Sequence, residues 1–565
     1  MRLVSTSRSP VSGWLPLLLA AAALALGWNL GGHRFLDPDE GRNAEVAREM
    51  AQTNDYLVPH LDGLPYLDKP VLYFAAAAVS MEALGPNETA ARLPALLATL
   101  ATLALVVWFA RRRWGSEAGW LAGLALATMP MVTAYARTTI FDSTLSLFTT
   151  AAIIGFAVER PVLAWAAIGA GGITKGPIAI LIPLAALIPY ALLTGLPLRR
   201  LFPWRGLGAF ALVALPWFVA VTARIPEFPH YAFVRETFER MTTRSFHRTA
   251  PAWYYLPILP IAAFPWIVPV LSRLRARGLR WAWLARTVNV NAHDPLLLAC
   301  WVLGPLVFFS LNQSKLPQYI LPLMPAVALA AARSLSRDGV AGGWRSYVVC
   351  AGVLAAALAS VGLWLPRSLP LTAAEQAAIP ITARALAVVL LVSAALVTLA
   401  ARRASLILAA AGYAIVVMVL PLAAAGLLRA VGEDRSAYAL ATAIRDRGAV
   451  LAVAAYPPSL PFYLGRPLPV ATAHARELTS NFIADYADQY RVVPGSPLLA
   501  ADAWRDRLAG CPEPTVFVTR AGDRDVRAAL SSLPLLFANG HYAAYGPCTP
   551  STTPPLRIRG EGAGG

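Results

Sequence analysis

Blocks of about 20 apolar residues recur along this chain, and nothing restricts its folding more. A bilayer core about 30 Å thick takes roughly 20 helical residues to cross, and backbone polar groups inside it must be satisfied within the segment. Thirteen blocks account for the pattern, starting near Val11, Thr89, Gly119, Ile140, Val162, Pro177, Leu207, Trp253, Pro295, Pro317, Trp344, Ala383 and Ser405. The expected fold class is therefore mainly α, a polytopic transmembrane helix bundle of about 13 spans. Only 14% of the residues are charged, against about 25% in soluble domains. The first block follows Arg2 and Arg8 and runs into Gly31-Gly32-His33-Arg34. It has no convincing cleavage site and reads as a retained helix.

A net charge of +17 raises the question of nucleic acid, but the positive residues do not gather into a binding face. They lie in short clusters between apolar blocks: Arg111-Arg112-Arg113, Arg160, Arg199-Arg200 with Arg205, the Arg273 to Arg286 stretch, Arg333 with Arg337 and Arg345, and Arg402-Arg403. That is a positive-inside signature, and no nucleic-acid partner is expected. It places the N-terminus in the cytoplasm. Residues 32–88, Arg137–Thr139, the Lys175 turn, Arg224–Ala252, Asn312–Leu316, Pro366–Pro380 and the tail after about Leu428 then lie outside. Val71–Leu84 would break the pattern as a span and is too short for one, so it reads as an amphipathic juxtamembrane helix at the outer interface.

The domain expectation is a transmembrane domain over 1–428, with a first outer loop at 32–88 and a second large one at 224–252. An outer α/β domain follows over 429–550, then a disordered tail over 551–565. Val450–Ala455 and Thr515–Thr519 read as buried strands, Ser436–Arg447 and Ala500–Ala509 as helices. Cys511 and Cys548 in this domain could pair in an oxidising compartment. Cys300 and Cys350 fall in spans and read as buried apolar residues. No cysteine spacing is of the metal-binding type.

Chemistry concentrates in the outer loops. In Asp37-Pro38-Asp39-Glu40-Gly41-Arg42, Asp37 can cap a helix, with Pro38 at the first position and Glu40 completing a capping-box-like pattern. The same spacing puts Asp39 and Arg42 on one face, so a carboxylate and a guanidinium can share a site. Of 48 basic residues only Lys69, Lys175 and Lys315 are lysine. Each falls in an expected outer turn one or two residues before a proline. Unconnected snorkelling anchors are one reading. The other is a cluster of point charges that, with the bidentate fork of Arg42, holds an anionic group such as a lipid phosphate. Asp142 is expected inside the outer leaflet, where an ionisable group needs a partner. Arg137 could be that partner, or the two could be purely structural. The 224–252 loop adds Glu227, His230, Glu236, Glu239 and His247. The sequon Asn87-Glu88-Thr89 is too short a motif to carry weight.

Asp39 to Met50 followed by Asp68-Lys69-Pro70 resembles the bacterial aminoarabinose (lipid A) transferases, relatives of the protein O-mannosyltransferases in the GT-C glycosyltransferase superfamily. Arg137 to Asp142, Thr174 to Pro177 and Ser314 to Tyr319 fit the same family in the same order, and the resemblance covers about residues 10–430. It implies a GT-C-like bundle in the bacterial inner membrane and a polyprenyl-phosphate sugar donor, with transfer to a lipid or other glycan acceptor on the periplasmic face. It implies Asp39 as catalytic carboxylate beside Glu40, and Arg42, Lys69, Lys315 and Tyr319 around the donor phosphate. Arg137, Asp142 and Lys175 would support them. Asp68 with His247 would hold a divalent metal ion, the sole cofactor suggested. A monomer is expected. Val71 stands where the family usually has a second proline, which blurs assignment to the strict lipid A subfamily. A protein O-glycosyltransferase and a lipid-linked substrate flippase are the competing readings. The flippase should show charges spread through the bundle and repeat symmetry between halves, and neither is seen.

Overall fold

A computed structural model describes residues 13–239, 250–276, 293–340, 343–366 and 368–549. The chain forms two compact units. One comprises Met1–Arg34, Ala47–Pro59 and Leu67–Gly432; the other comprises Phe35–Val46, His60–Tyr66 and Glu433–Gly565.

The first unit is a helix bundle. Six helices are long and apolar enough to cross a membrane: Glu88–Trp114, Leu198–Arg224, His293–Leu311, Pro317–Asp338, Ala373–Arg403 and Leu406–Ala423. Two bent pairs, Ser116–Ala127 with Pro130–Ala136 (66°) and Ala252–Ala262 with Ile267–Arg275 (111°), raise the number to eight. The remaining apolar blocks form helices shorter than a span, among them Trp14–Gly27, Asp142–Ala157, Pro161–Lys175 and Ile178–Thr194. The chain is a multi-pass membrane protein; eight of the thirteen expected spans, at most, reach spanning length among the described residues.

Local chemistry explains the breaks. Asn87 Oδ1 accepts from Ala90 N–H at 2.9 Å and caps the Glu88–Trp114 helix, which gives the sequon a structural use. That helix ends on Arg111, Arg112 and Arg113, cations suited to the negative end of its dipole. Gly304 lets two helices touch: a Cβ there would stand 1.9 Å from the carbonyl oxygen of Ala185, the small-residue approach that drives packing where no hydrophobic effect operates.

Two expectations need correction. The Val71–Leu84 block forms a helix over Leu72–Leu84, but it is not amphipathic. Its sequence is apolar nearly all round, and Tyr73, Phe74, Ala77, Ala78, Ser80 and Met81 are buried. Tyr73 and Phe74 set their ring edges against Phe141, at 6.0 and 6.3 Å, so packing within the bundle holds the helix. Cys300 is buried as expected, whereas Cys350 is exposed on the Trp344–Ala359 helix.

The second unit is built on a six-stranded mixed sheet. In spatial order its strands are Leu498–Leu499, Val470–Ala471, Ala449–Val453, Thr515–Arg520, Tyr542–Tyr545 and Leu535–Ala538. The first four run parallel and the last three pair antiparallel. The central pair aligns Ala449 with Thr515 through Val453 with Thr519; buried on both faces, both strands read as continuous apolar runs. The expected helices form over Tyr438–Ile444 and Ala503–Gly510. Cys511 and Cys548 are disulfide-bonded. A two-stranded hairpin, His60–Leu61 with Leu64–Pro65, turns through Asp62 and Gly63, both at positive φ, as the tightest hairpin loops require. Residues 551–565 lie outside the described residues.

Candidate active site

In the first unit a cavity is lined by Asp68, Lys69, Asp142, Lys175, Glu236 and Tyr319, with apolar walls that include Leu145, Ile178, Leu181, Phe218 and Phe233. Helix ends place its charges. Asp142 opens the Asp142–Ala157 helix, and Lys175 closes the Pro161–Lys175 helix ahead of Gly176 at φ +73°. Each charge thus sits at the favourable end of its helix dipole, and the two form an ion pair. Asp142 is 1% exposed and Lys175 11%, so the pair is buried. The Lys175 ammonium also lies over the rings of Tyr319 (5.0 Å) and Phe141 (5.5 Å), a cation–π arrangement. Phe309 packs on Tyr319 at 5.7 Å.

Lys69 donates to its neighbour's carbonyl, Asp68 O, at 2.5 Å and pairs with Glu236. The Asp68 carboxylate accepts from the Tyr231 hydroxyl. Lys315 is different. It is buried, and its ammonium donates to the backbone carbonyls of Ala250 (3.0 Å) and Asn312. Among the described residues no carboxylate neutralises it. Burial draws its pKa below the ordinary lysine value, and a bound anion would reverse that shift. Asn312 and Ser314, on either side of it in sequence, line the cavity.

Arg137 is not the partner of Asp142. Its guanidinium donates to the carbonyl oxygens of Leu26 (2.8 Å), Trp28 (2.7 Å) and Asn29 (3.1 Å). It ties down the exit of the first helix, a structural use. Lys175 takes the role expected of Arg137.

The second unit holds Asp39, Glu40 and Arg42. The capping pattern expected of Asp37 does not form. The helix begins at Asp39, and the Asp37 carboxylate instead accepts from the Ser459 backbone N–H (3.1 Å) and hydroxyl (2.7 Å). Glu40 reaches back to Leu36 N–H at 3.0 Å. Arg42 does share a face with Asp39: it donates to Asp39 Oδ1 at 2.5 Å, and its other terminal nitrogen to Thr479 Oγ1 (2.8 Å) and O (3.0 Å). The Asp39 carboxylate stays 41% exposed against 9% for Arg42, so the acid is presented while its partner is held.

The structure thus gathers Lys69, Lys175, Asp142, Asp68 and Tyr319 in one unit, with Lys315 beside them in sequence to cavity-lining residues, and Asp39, Glu40 and Arg42 in the other. His247 lies outside the described residues. Sequence reasoning missed Tyr231, Ser459 and Thr479. Glu236 was visible as a loop carboxylate, but nothing local tied it to Lys69, 167 positions away.

Comparison with known proteins fits this arrangement. Residues 68–220 match a family described as dolichyl-phosphate-mannose-protein mannosyltransferase. The undecaprenyl phosphate-alpha-4-amino-4-deoxy-L-arabinose arabinosyl transferase of Aeromonas salmonicida is 33% identical over 310 residues, 53% of this chain and 55% of the relative. The protein of the same name from Pectobacterium atrosepticum is 32% identical over 357 residues, 59% and 62%. The chain spans little more than half the length of these curated relatives. The crystal structure of ArnT from Cupriavidus metallidurans bound to undecaprenyl phosphate superposes with a TM-score of 0.81 at 26% identity, over 95% of this chain and 98% of that one. The chain is related to the aminoarabinose transferases and shares their GT-C fold.

Proposed function

We propose that this protein is an inverting membrane glycosyltransferase that moves a sugar from a polyprenyl-phosphate donor to a lipid A-like acceptor at the periplasmic face. In this reading the N-terminus is cytoplasmic and the α/β domain periplasmic. The observation that carries it is the first-unit cavity, where ammonium groups stand beside apolar walls as a phosphate on a long hydrocarbon tail demands. The names of the relatives, which specify an undecaprenyl phosphate-linked sugar, support the choice of donor.

The acceptor oxygen forms a bond to the anomeric carbon as the bond from that carbon to the phosphate oxygen breaks. Negative charge grows on the departing polyprenyl phosphate, and Lys69 and Lys315 stabilise it, with Tyr319 beside the pocket. One such group aimed at developing charge is worth about 10²–10³ in rate. Asp39 takes the proton of an acceptor hydroxyl or, for an acceptor that is already a phosphate anion, orients it. Lys175 is neutralised by Asp142 and steadies Tyr319. Lys69 is paired with Glu236, so a phosphate binding there must replace a carboxylate. Asp68 and His247 offer the carboxylate and imidazole donors that divalent ions take, and an ion there would add positive charge beside the phosphate; no step depends on it.

Purified protein in liposomes, given labelled polyprenyl-phosphate sugar and lipid A, should release polyprenyl phosphate and label the lipid. Asp39→Asn should abolish transfer and leave donor binding intact; transfer retained in that variant sinks the assignment. The match to a protein mannosyltransferase family over residues 68–220 supports a second reading, protein O-glycosylation. Label appearing in protein rather than lipid would establish it.

A further inference from the structure

We infer that Asp37 is a positioning residue for Asp39, acting through Ser459 of the α/β domain. The inference rests on the reading of Asp39 as the reacting carboxylate. Ser459 is wholly buried. Its hydroxyl donates to Asp37 at 2.7 Å and accepts from the Ala437 N–H at 2.9 Å, while its own N–H also goes to Asp37. The hydroxyl's single hydrogen is thereby committed, and its direction is set by the backbone. The chain just before Asp37 is gripped by the same segment: Phe35 sets its ring against Phe462 (4.9 Å) and Tyr463 (5.7 Å), and its N–H donates to the Tyr463 hydroxyl at 3.3 Å.

Space around the clasp is closed. A Cβ on Gly41 would stand 2.1 Å from Asp37 Oδ1 and 2.6–2.7 Å from Ser459. No side chain fits there without parting the two residues. Asp39 lies between these fixed points, its backbone leading from the Asp37 clasp and its carboxylate meeting Arg42, which is anchored on Thr479. Two independent holds, 422 and 437 residues away in sequence, therefore set the direction of one exposed acid. Arrangements that orient reacting groups matter because a misplacement of about 1 Å costs roughly 100-fold in rate.

The clasp also titrates. Asp37 Oδ1 is buried and makes no hydrogen bond among the described residues. Burial pushes the carboxyl up to about 7, with Glu40 raising it further, and Ser459 and Arg42 opposing. Tyr542 is the other titratable group that feels its charge. The folded pKa lies above the ordinary value, so the stability it contributes is full at low pH and is lost as pH rises through about 7.

The test uses the full-length protein in liposomes. Ser459→Ala and Asp37→Ala should lower kcat roughly 10- to 100-fold and leave the donor KM within about twofold. Ser459→Thr should restore most of the rate, since it keeps the donating hydroxyl. Asp37→Asn keeps an acceptor for Ser459 and should retain activity, but its thermal stability should no longer fall between about pH 4 and 7 as the wild type's does. Ser459→Ala decides the matter if Asp37→Ala does not fold. The inference is overturned if Ser459→Ala has the wild-type kcat, if Ser459→Thr fails to rescue it, or if Asp37→Asn keeps the wild-type pH profile. Should Asp39→Asn itself transfer sugar, the reading of Asp39 falls. Should Asp39→Asn be inactive while Ser459→Ala is normal, only the positioning role falls.

Discussion

Two charge clusters lie within the helical unit, and they are built on opposite principles. One is made of arginines. Asp294 receives Arg113 Nε at 2.8 Å, Arg333 at 2.9 Å and the Trp114 indole N–H at 2.9 Å. Three different donors converge on both oxygens of one carboxylate, and planar groups fix one another's angles. The other cluster is made of lysines around a cavity. Lys69 pairs there with Glu236 and Lys175 with Asp142, whereas the Lys315 ammonium donates to backbone carbonyls, with no carboxylate against it among the described residues. A guanidinium network spends its geometry on itself. An ammonium, with three rotatable donors and no preferred plane, can exchange one partner for another. The contrast separates a cluster that holds helices together from one suited to receiving a ligand.

The largest expected effect breaks the lysine cluster where it is itself structural. Lys175→Ala leaves Asp142 buried without a counter-charge, which should cost about 3–5 kcal/mol of stability. The paired change Lys175→Met with Asp142→Leu should recover much of it; thermal unfolding in detergent reads both. Equal instability of the single and double variants would show that the pair carries no coupling. Lys315→Ala should lower kcat/KM for transfer by about 10²–10³ while unfolding at the wild-type temperature. Lys315→Arg should fail to rescue it, because a longer planar group does not fit between the carbonyls of Ala250 and Asn312. Full rescue would erase the distinction drawn between the clusters. Arg333→Lys should do the reverse, lowering the unfolding temperature with little change in turnover. Glu236→Gln is the smallest test: with the competing carboxylate neutralised, donor KM should fall a few-fold at unchanged kcat, and an increase would mean that Glu236 positions Lys69 rather than competing for it.

What the sequence revealed follows the same divide. The three lysines were conspicuous because arginine fills almost every other basic position, and their loops proved to surround or adjoin one cavity. The strands at Ala449–Val453 and Thr515–Arg520 were legible from continuous apolar runs. Pairings were not. Asp142 has Arg137 five residues before it and Lys175 thirty-three after, and sequence proximity favoured the wrong one; only the antiparallel course of the Asp142–Ala157 and Pro161–Lys175 helices decides it. Asp37 was hidden for a related reason. A local capping pattern explained it fully, so nothing pointed to a serine at the far end of the chain. The amphipathic reading of Val71–Leu84 erred because its length excluded a span but said nothing about burial among aromatic rings.

The Asp142–Lys175 pair carries a consequence for how the chain is made. The first turn of one helix and the last turn of the next hold its two members, so the pair closes the mouth of a hairpin. Neither charge can be left alone in hydrocarbon without a penalty of at least about 2.5 kcal/mol, whereas the two together neutralise each other. The hairpin is therefore the smallest piece that can leave the translocation machinery on favourable terms. The two helices are expected to enter the bilayer together, as a hairpin whose mouth the Asp142–Lys175 pair closes.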